Sequence, residues 1–324
     1  MRKTLLKAFG LLLALTAAAA AQNSPAKDYP TRPVRLIIPF APGGSVDIVA
    51  RLVAAKLGDR LGQQVIPDNR AGAGGIIAME QAVKAPADGY TIVLVSLAHA
   101  VNPSIYKVNY DPVRSVAFVA SLGNGASVLT AHPSVPANSV RELIALAKSK
   151  PGTLHFAHAG VGSFTHTASV LFSMMAGIDT VMVPFKGGGP AMIDVMGGHT
   201  QLLMNSYLAS VPHIRSGKLK PLGVSDLRRT HLLPDVPTID EAGVPGYQAA
   251  NWWGIGVPAG TPQPIVDRLY AAIAKVLESD EIKKQFDADG ASIVRMNPAE
   301  FTRFFANEYD KWGKVVKEAK IKPE

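Results

Sequence analysis

Short apolar runs alternate along the chain with glycine-containing loops and amphipathic stretches. The first run, residues 34–40, is nearly continuous, as a strand buried on both faces of a sheet requires. Glycines follow this run, and apolar residues then recur at helical spacing from Val46 to Leu57. The pattern therefore predicts a strand, a loop and a helix in succession.

The same unit recurs through much of the chain, with short connections between the predicted elements. Alternation of this kind is typical of α/β proteins with doubly wound, mostly parallel sheets flanked by helices. Further strands are predicted at 64–67, 91–97, 154–157, 180–185, 201–205 and 219–224, and further helices at 76–84, 140–149, 165–176 and 190–196.

Two shifts in composition divide the chain into two lobes. One is the stretch 121–125, which contains glycine and asparagine, and the other is the Gly- and Pro-rich stretch 245–264. We predict that residues 125–248 form one lobe and that residues 28–124 and 249–324 together form the other. Because the chain crosses twice between these lobes, the crossings would act as a hinge.

The N-terminus predicts export from the cytoplasm. The basic residues Arg2, Lys3 and Lys7 precede the apolar run 8–20. Small residues then lead to a predicted cleavage site near Ala21. This is the three-part form of a signal peptide, so residues 1–21 are excluded from the fold prediction. The run is shorter than the ~20 residues that a membrane-spanning helix needs, and no later apolar stretch reaches that length. We therefore expect a periplasmic protein that does not span the membrane.

Charge and cysteine content narrow the possible functions. The formal net charge is +8, of which the signal peptide supplies three, which leaves +5. Lys and Arg are scattered, with no basic and aromatic stripe, so we expect no nucleic-acid partner. Cysteine is absent, which excludes disulfides, thiol catalysis and thiolate metal sites.

Four glycine-rich loops lie where a ligand is expected, because ligands of open α/β sheets bind beyond the carboxyl ends of the strands. They are residues 42–45, 72–75, 160–163 and 186–189. Glycine lets backbone N–H groups approach a ligand, and the helix start that follows offers unpaired donors to an anion. A single such loop is also an ordinary capped turn, but the repetition favours a shared anion cleft. Charge-assisted hydrogen bonds contribute about 1.5–3 kcal/mol each, so four or five would supply the ~8 kcal/mol of a micromolar complex.

Known nucleotide and catalytic motifs do not fit these loops. Two loops begin the G-x-G-x-x-G pattern, but Ile77 and Thr165 occupy its sixth position. Lys186 precedes its glycines instead of following them, which excludes a P-loop. There is also no G-x-S-x-G nucleophile elbow in the chain.

The histidines do not have the spacing of a metal site. His155 and His158 are placed on opposite faces of a predicted strand, and neither zinc spacing nor a carboxylate partner is present. In an enzyme, Ser163 and His166 would act as the nucleophile and the base. Residues three apart at the start of a helix, however, are more typical of a helix cap and a hydrogen-bond donor to the pocket. We therefore predict no metal, no cofactor and no catalytic residues.

Seven stretches match, in order, the motifs of one known family. They are 42–51 with PGG and Asp47, DNRAGAGG at 68–75, PADGYT at 86–91, GVGS with His166 at 160–166, VPFKGGGPA at 183–191, PDVPT and EAG at 234–243, and PAGTP at 258–262. On these stretches the chain resembles the Bug-type solute-binding receptors of tripartite tricarboxylate transporters. The resemblance covers nearly the whole chain beyond the signal peptide.

The resemblance implies a fold, a function and partners. The fold would be a type II-like periplasmic-binding-protein fold with two α/β lobes. The protein would be a monomeric receptor, not an enzyme, that binds di- and tricarboxylates, acidic amino acids or aromatic acids and delivers its ligand to inner-membrane transporter subunits.

The resemblance also implies ligand contacts from opposite lobes, partly through water. Carried over position by position, it favours Gly43, Gly44, Ser45, Ser163 and His166, with Lys186, Gly187 and Gly188 as a third edge. The full set of predicted ligand-binding residues adds Pro42, Asp47, Ser96, His99, Gly160, Gly162, Asn205 and Ser206.

One departure from the family pattern concerns the ligand. Beyond Gly197 and Gly198 the family commonly has an acidic residue near the cleft, whereas this chain has Asn205 followed by Ser206. Without that charge a ligand ammonium group lacks a partner. We therefore hypothesise that the ligand has no amino group.

Some alternatives stay open from the sequence. Trp252, Trp253 and Tyr106 are assigned either to core or hinge packing or to the cleft wall. A small-molecule hydrolase or transferase on the same fold would have to use Ser163 and His166. A ligand-sensing receptor that presents its closed form to a signalling partner has the same sequence features as a transport receptor.

Overall fold

The computed structural model describes residues 28–288, 290–319 and 321–323. The predicted signal peptide, residues 1–21, lies outside the described residues. Within the described ranges, no helix is both long enough and apolar enough to cross a membrane.

The described chain contains ten strands, ten α-helices and two short 3₁₀ turns. The strands are β1 Val34–Ile38, β2 Val65–Asn69, β3 Thr91–Ser96, β4 Val116–Ala131, β5 His155–His158, β6 Val181–Pro184, β7 Leu202–Ser206, β8 Lys220–Val224, β9 Ala250–Pro258 and β10 Ala291–Ser292. The helices are α1 Ser45–Leu61, α2 Ile76–Val83, α3 Leu97–Val101, α4 Val140–Ser149, α5 Phe164–Ala176, α6 Gly188–Met196, α7 Tyr207–Arg215, α8 Gln263–Glu278, α9 Asp280–Ala288 and α10 Pro298–Glu318. The 3₁₀ turns are Ala73–Gly75 and Asn102–Ser104.

The fold has two α/β lobes, as the sequence predicts. One parallel group of strands has the order β2-β1-β3 and the other has the order β7-β5-β6. Between them lie β9 and β4, and β4 belongs to both sheets. Its residues up to Ala126 pair with β9, and its residues from Ser127 onward pair with β7 and β8. We call the β2-β1-β3-β9 side the first half and the β7-β5-β6 side the second half.

The antiparallel pairs differ from the mostly parallel pairing that the sequence predicts. Both β3 and β4 pair with β9 in antiparallel fashion. Neither β4 nor β9 is predicted from the sequence, because glycines interrupt both strands and their surroundings resemble domain joins. The lobe boundaries at residues 124/125 and 248/249 stay predictions.

Amphipathic helices cover the sheets and build the core. In α1, Val49, Val53 and Leu57 recur at helical spacing and are at most 1% exposed. Full burial of such a side chain contributes about 1.5–3 kcal/mol. At the other end of the chain, α10 packs Phe301 and Phe305 against the sheet around β4, and both are fully buried. The C-terminal helix therefore returns to the first half.

Both tryptophans of β9 belong to this core. Trp252 donates a hydrogen bond from Nε1 to Oε2 of Glu308 at 3.0 Å, and its ring meets Phe301 edge-on with centroids 6.0 Å apart. Trp253 is 1% exposed. Neither tryptophan lines the cavity described below, and neither does Tyr106. Core packing is therefore the role that the structure gives to both tryptophans.

Candidate functional site

A small cavity of about 30 Å³ lies between the two halves, at the starts of α1, α5 and α6. This volume is far below the ~300–1,000 Å³ range of small-molecule sites. The wall is mostly apolar, and none of the described side chains on it carries a charge. The lining residues are Phe40, Gly44, Ser45, Val46, Ser96, Ala159, Ser163, Phe164, Thr165, Gly188, Asn205 and Asn251.

The first-half wall is the start of α1, which a buried carboxylate holds in place. Asp47 accepts hydrogen bonds from the Gly43 N–H at 3.1 Å, from Asn69 Nδ2 at 2.8 Å and from Arg51 Nε at 2.9 Å. Burial opposes its ionisation, but the hydrogen bonds from Arg51, Asn69 and Gly43 together hold the pKa of Asp47 below its ordinary value. Asp47 is therefore an ionised support of the loop, and the Gly43 N–H donates to it.

The second-half wall includes the start of α5, where two hydroxyls are fixed. Ser163 Oγ accepts from the His166 N–H at 3.2 Å, which makes Ser163 the N-cap of the helix. The Thr165 hydroxyl lies 3.1 Å from Ser163 Oγ and accepts from the Ala159 N–H at 2.8 Å. These bonds hold the first turn of α5, whose N–H groups have no partner inside the helix, against the cavity.

A pair of buried histidines supports the loop that precedes α5. His158 and His166 lie with ring centroids 4.6 Å apart. Each Nδ1 accepts a backbone N–H of the loop, His158 from Gly160 at 3.2 Å and His166 from Gly162 at 3.4 Å. Burial lowers the pKa of His158 to about 4, and burial together with the neighbouring His158 lowers the pKa of His166 to about 3. Both rings are therefore neutral near pH 7 and act as acceptors for the loop.

Glycines form the contact between the two halves. The Ala41 N–H donates to the Lys186 carbonyl oxygen at 3.1 Å. A Cβ on Gly187 would lie 2.8 Å from the Ala41 nitrogen, and a Cβ on Gly189 would overlap the Pro42 carbonyl oxygen. A Cβ at either position therefore requires the halves to move apart.

A second glycine contact lies beside the first. A Cβ on Gly74 would overlap the Val161 carbonyl oxygen, and a Cβ on Gly162 would overlap the Asn102 side chain. Gly160 approaches Gly74 in the same way, since its Cβ would lie 3.2 Å from the Gly74 nitrogen. The glycine loops thus let the backbones of the two halves touch around the cavity.

The structure brings six of the sixteen predicted ligand-binding residues to the cavity wall, and the other ten lie elsewhere. The six are Gly44, Ser45, Ser96, Ser163, Gly188 and Asn205. The ten are Pro42, Gly43, Asp47, His99, Gly160, Gly162, His166, Lys186, Gly187 and Ser206. As ligand contacts all sixteen stay predictions, but the ten have other roles in the structure.

Most of the ten form the contact between the halves or support the loops, as described above. Lys186 is exposed, and its backbone carbonyl oxygen contacts the first half. Ser206 caps α7, since its Oγ accepts from the Ala209 N–H at 3.3 Å. His99 is packed against Phe305 with centroids 4.8 Å apart, and its Nε2 donates to the Pro112 carbonyl oxygen at 3.0 Å.

Six further residues line the cavity and were not predicted. Phe40, Val46, Ala159, Phe164 and Thr165 adjoin predicted positions, so extending each loop by one or two residues would have included them. Asn251 is different, because it lies on β9 and only the folded sheet brings it to the cavity.

Asn205 presents a fixed donor to the cavity. Its Oδ1 accepts from the Ser206 N–H at 2.9 Å, and this bond orients the side-chain amide. The Nδ2 group is buried and has no hydrogen-bond partner among the described residues. A buried donor without a partner costs about 1–3 kcal/mol, so a ligand acceptor at this point would be stabilising.

The arrangement favours binding of an anion over catalysis. Helix starts offer N–H donors and the positive ends of helix dipoles to negative charge. The His166 Nδ1 accepts from the Gly162 N–H, and Ser163 Oγ accepts from the His166 backbone N–H, so this serine and this imidazole are not joined as nucleophile and base. No group of three or more metal-ligating side chains occurs in the part of the chain that the structure describes.

Comparison with known proteins matches most of the chain to one family. Residues 49–321 match the family described as "Tripartite tricarboxylate transporter family receptor". The protein BugT of Bordetella pertussis is 39% identical to this chain over 327 residues, an alignment that covers 98% of each protein.

Solved structures of similar proteins have the same fold. A Rhodopseudomonas palustris protein with bound malate, MatC, is 33% identical and superposes with a TM-score of 0.85 over 89% of this chain and 100% of that chain. A protein described as from R. palustris with adipate is 37% identical, with a TM-score of 0.88 over 91% of this chain and 100% of that chain. Both structures therefore share the overall fold of this chain.

Proposed function

The chain belongs to the tripartite tricarboxylate transporter receptor family, and on that premise we propose that it captures a small carboxylate and delivers it to inner-membrane transporter subunits. Members of the family are periplasmic solute-binding receptors. The ligand site of this chain would be the cavity between the two halves. The transporter would recognise the receptor when the halves are closed on the ligand.

One observation carries this proposal. The starts of α1, α5 and α6 meet at one cavity, together with the unpartnered Nδ2 of Asn205, and no charged side chain lies on the described wall. Donors of this kind favour a carboxylate, which accepts several hydrogen bonds at once. Four or five such bonds at about 1.5–3 kcal/mol each are enough for micromolar affinity, which needs ~8 kcal/mol.

The same wall argues against an amino group on the ligand. An ammonium ion in a closed cavity needs a carboxylate partner, because burying an unpaired charge is costly. Asp47 is engaged by Arg51 and Asn69 and does not line the cavity. We expect succinate and glutarate to bind more tightly than aspartate and glutamate. Calorimetry that gives the opposite order would refute this part of the proposal.

The predicted signal peptide, residues 1–21 with cleavage near Ala21, and the family both support a periplasmic location. We propose that the mature chain acts in the periplasm as a monomer. Size-exclusion chromatography with light scattering on a periplasmic extract would test both points. A dimer, or protein found only in the cytoplasm, would contradict them.

A thermal-shift screen tests the ligand class. A ligand at one hundred times its dissociation constant stabilises the folded state by ~2.7 kcal/mol, which raises the melting temperature by several degrees. The screen would include mono-, di- and tricarboxylates and aromatic acids. We expect at least one acid to produce this shift, and a screen with no shift at millimolar concentrations would overturn the proposal.

Replacing Asn205 with aspartate tests the donor. Aspartate has the same shape and still accepts from the Ser206 N–H, but it replaces Nδ2 with a charged oxygen that repels a carboxylate. We expect Asn205→Asp to weaken binding of the acid found in the screen by about 100-fold, since one charge-assisted bond is replaced by repulsion. Isothermal titration calorimetry measures this change.

The matched control is Asn307→Asp, which adds the same charge at an exposed position of α10. It should leave the affinity unchanged. If Asn205→Asp binds the acid as tightly as the wild type, the carboxylate does not lie against Asn205.

A further inference from the structure

Asn251 is a second buried amide on the cavity wall, and nothing in the sequence marks it as a ligand contact. Its side chain lines the cavity, and the residue is 2% exposed. Its Oδ1 is buried and accepts no hydrogen bond from any described residue. An acceptor left in this state is destabilising, so a ligand that supplies a proton to it would recover that loss.

Asn251 and Asn205 reach the cavity from different strands. Asn205 is the penultimate residue of β7 and pairs with Val128 of β4, whereas Asn251 is the second residue of β9 and pairs with Gly125 of β4. The two partners are three residues apart on β4, which corresponds to about 10 Å along a strand. The two amides therefore come from either side of the point, between Ala126 and Ser127, where β4 passes from one sheet to the other.

We infer that Asn251 selects ligands that carry a neutral hydrogen-bond donor, a hydroxyl or a carboxamide, at the end opposite the carboxylate. This inference rests on the proposed function, because it assumes that the helix starts and Asn205 hold a carboxylate. The expected ligand class is thus a monocarboxylate with a neutral polar end.

The chemistry of the wall distinguishes this class from its neighbours. A second carboxylate supplies no proton to Oδ1 of Asn251, and the described wall has no cation to balance a second negative charge. An ammonium group supplies protons but would be buried without a carboxylate partner. A methyl end leaves Oδ1 unpaired. A hydroxyl or carboxamide supplies a proton and adds no charge.

The test compares acids of equal length that differ only at the far end. Calorimetry on the wild-type protein would use hexanoate, adipate, 6-hydroxyhexanoate, adipic acid monoamide and 6-aminohexanoate, and the corresponding four-carbon series. In at least one series we expect the hydroxyl- or amide-ended acid to bind about tenfold or more tightly than the diacid, the plain acid and the amino acid. A diacid that binds most tightly in both series would overturn the inference.

Two variants assign the preference to this side chain. Asn251→Leu keeps the branched arrangement of four side-chain heavy atoms and has no polar end. It should bind the plain acid, and it should bind the hydroxyl-ended acid no more tightly than the plain acid. Asn251→Asp introduces a carboxylate, so it should bind the amino-ended acid more tightly than the wild type does. Asn307→Leu, at an exposed site on α10, should preserve the wild-type order. If Asn251→Leu still prefers the hydroxyl- or amide-ended acids, other residues select the ligand and the inference is wrong.

The outcomes separate this inference from the proposed function. If plain and polar-ended acids bind equally to the wild type, carboxylate capture stands and only the role of Asn251 fails. If no acid of either series binds and the wider screen also finds none, the carboxylate site itself fails, and the inference fails with it.

Discussion

Alanine in place of Gly189 is expected to weaken ligand binding by at least two orders of magnitude while leaving the protein folded. Gly189 lies in the first turn of α6, where its backbone is helical and alanine is at least as favourable as glycine. The added Cβ would overlap the Pro42 carbonyl oxygen of the other half. The overlapped atom belongs to the backbone, so it cannot turn aside as a side chain would. The two halves must therefore stay apart.

The expected loss is large because the cavity needs both halves. Its walls come from the start of α1 on one half and the starts of α5 and α6 on the other. A gap of an ångström or more would lengthen at least two charge-assisted hydrogen bonds to the ligand beyond useful range. At about 1.5–3 kcal/mol each, the loss of these bonds corresponds to a 10²- to 10⁴-fold increase in the dissociation constant. Calorimetry with the acid found in the screen measures it.

A matched control separates closure from the general effect of alanine. Gly313→Ala adds the same Cβ inside α10, where the nearest atom is the Ser104 hydroxyl at 3.3 Å. It should bind like the wild type. Small-angle scattering should show that Gly189→Ala keeps a larger radius of gyration when ligand is added, whereas the wild type becomes more compact. Wild-type affinity in Gly189→Ala would mean that closure does not depend on this contact.

Local elements could be predicted from the sequence because their signals are local. The helix predicted at 140–149 has those bounds in the structure, and β1 begins at the predicted residue, Val34. Ser139 and Ser163 cap their helices, as serine before an apolar periodic stretch indicates. By contrast β4 and β9 owe their strand structure to pairing with each other along nine registered positions, which no single stretch of sequence reveals.

The candidate site was predicted in part for the same reason. Glycine loops before helices identify where a ligand can lie, and Gly44, Ser163 and Gly188 do line the cavity. Sequence alone does not distinguish a glycine that exposes N–H groups to a ligand from one that lets two backbones touch. Gly187 and Gly189 belong to the second kind. Asn251 could not be predicted, because a strand from the second crossing brings it to the cavity.

Three buried histidines make the stability of the fold depend on pH. Burial lowers the pKa of His99 and of His158 to about 4, and lowers that of His166 to about 3, where the nearby His158 adds to the effect. In the unfolded chain each would titrate near its ordinary value of 6.5. Between about pH 6.5 and 4, therefore, the unfolded state binds more protons than the folded state, and the free energy of unfolding falls as the pH falls.

We expect acidification from pH 7 to pH 5 to remove about 2 kcal/mol of stability per buried histidine, or roughly 6 kcal/mol in all, out of a typical total of 5–15 kcal/mol. Urea unfolding at fixed temperature, followed at half-unit steps of pH, measures the fall. The carboxylates with lowered pKa, such as Asp47, lose their contribution to stability only below about pH 4. They therefore do not contribute to the change in stability between pH 7 and pH 5.

A histidine variant assigns the pH dependence to the buried rings. His99→Phe, in a pocket already lined by Phe118 and Phe305, should remove about a third of the slope of the unfolding free energy against pH. Stability that is flat from pH 7 to 5, or a slope that His99→Phe leaves intact, would contradict the assignment of these protons to the buried rings.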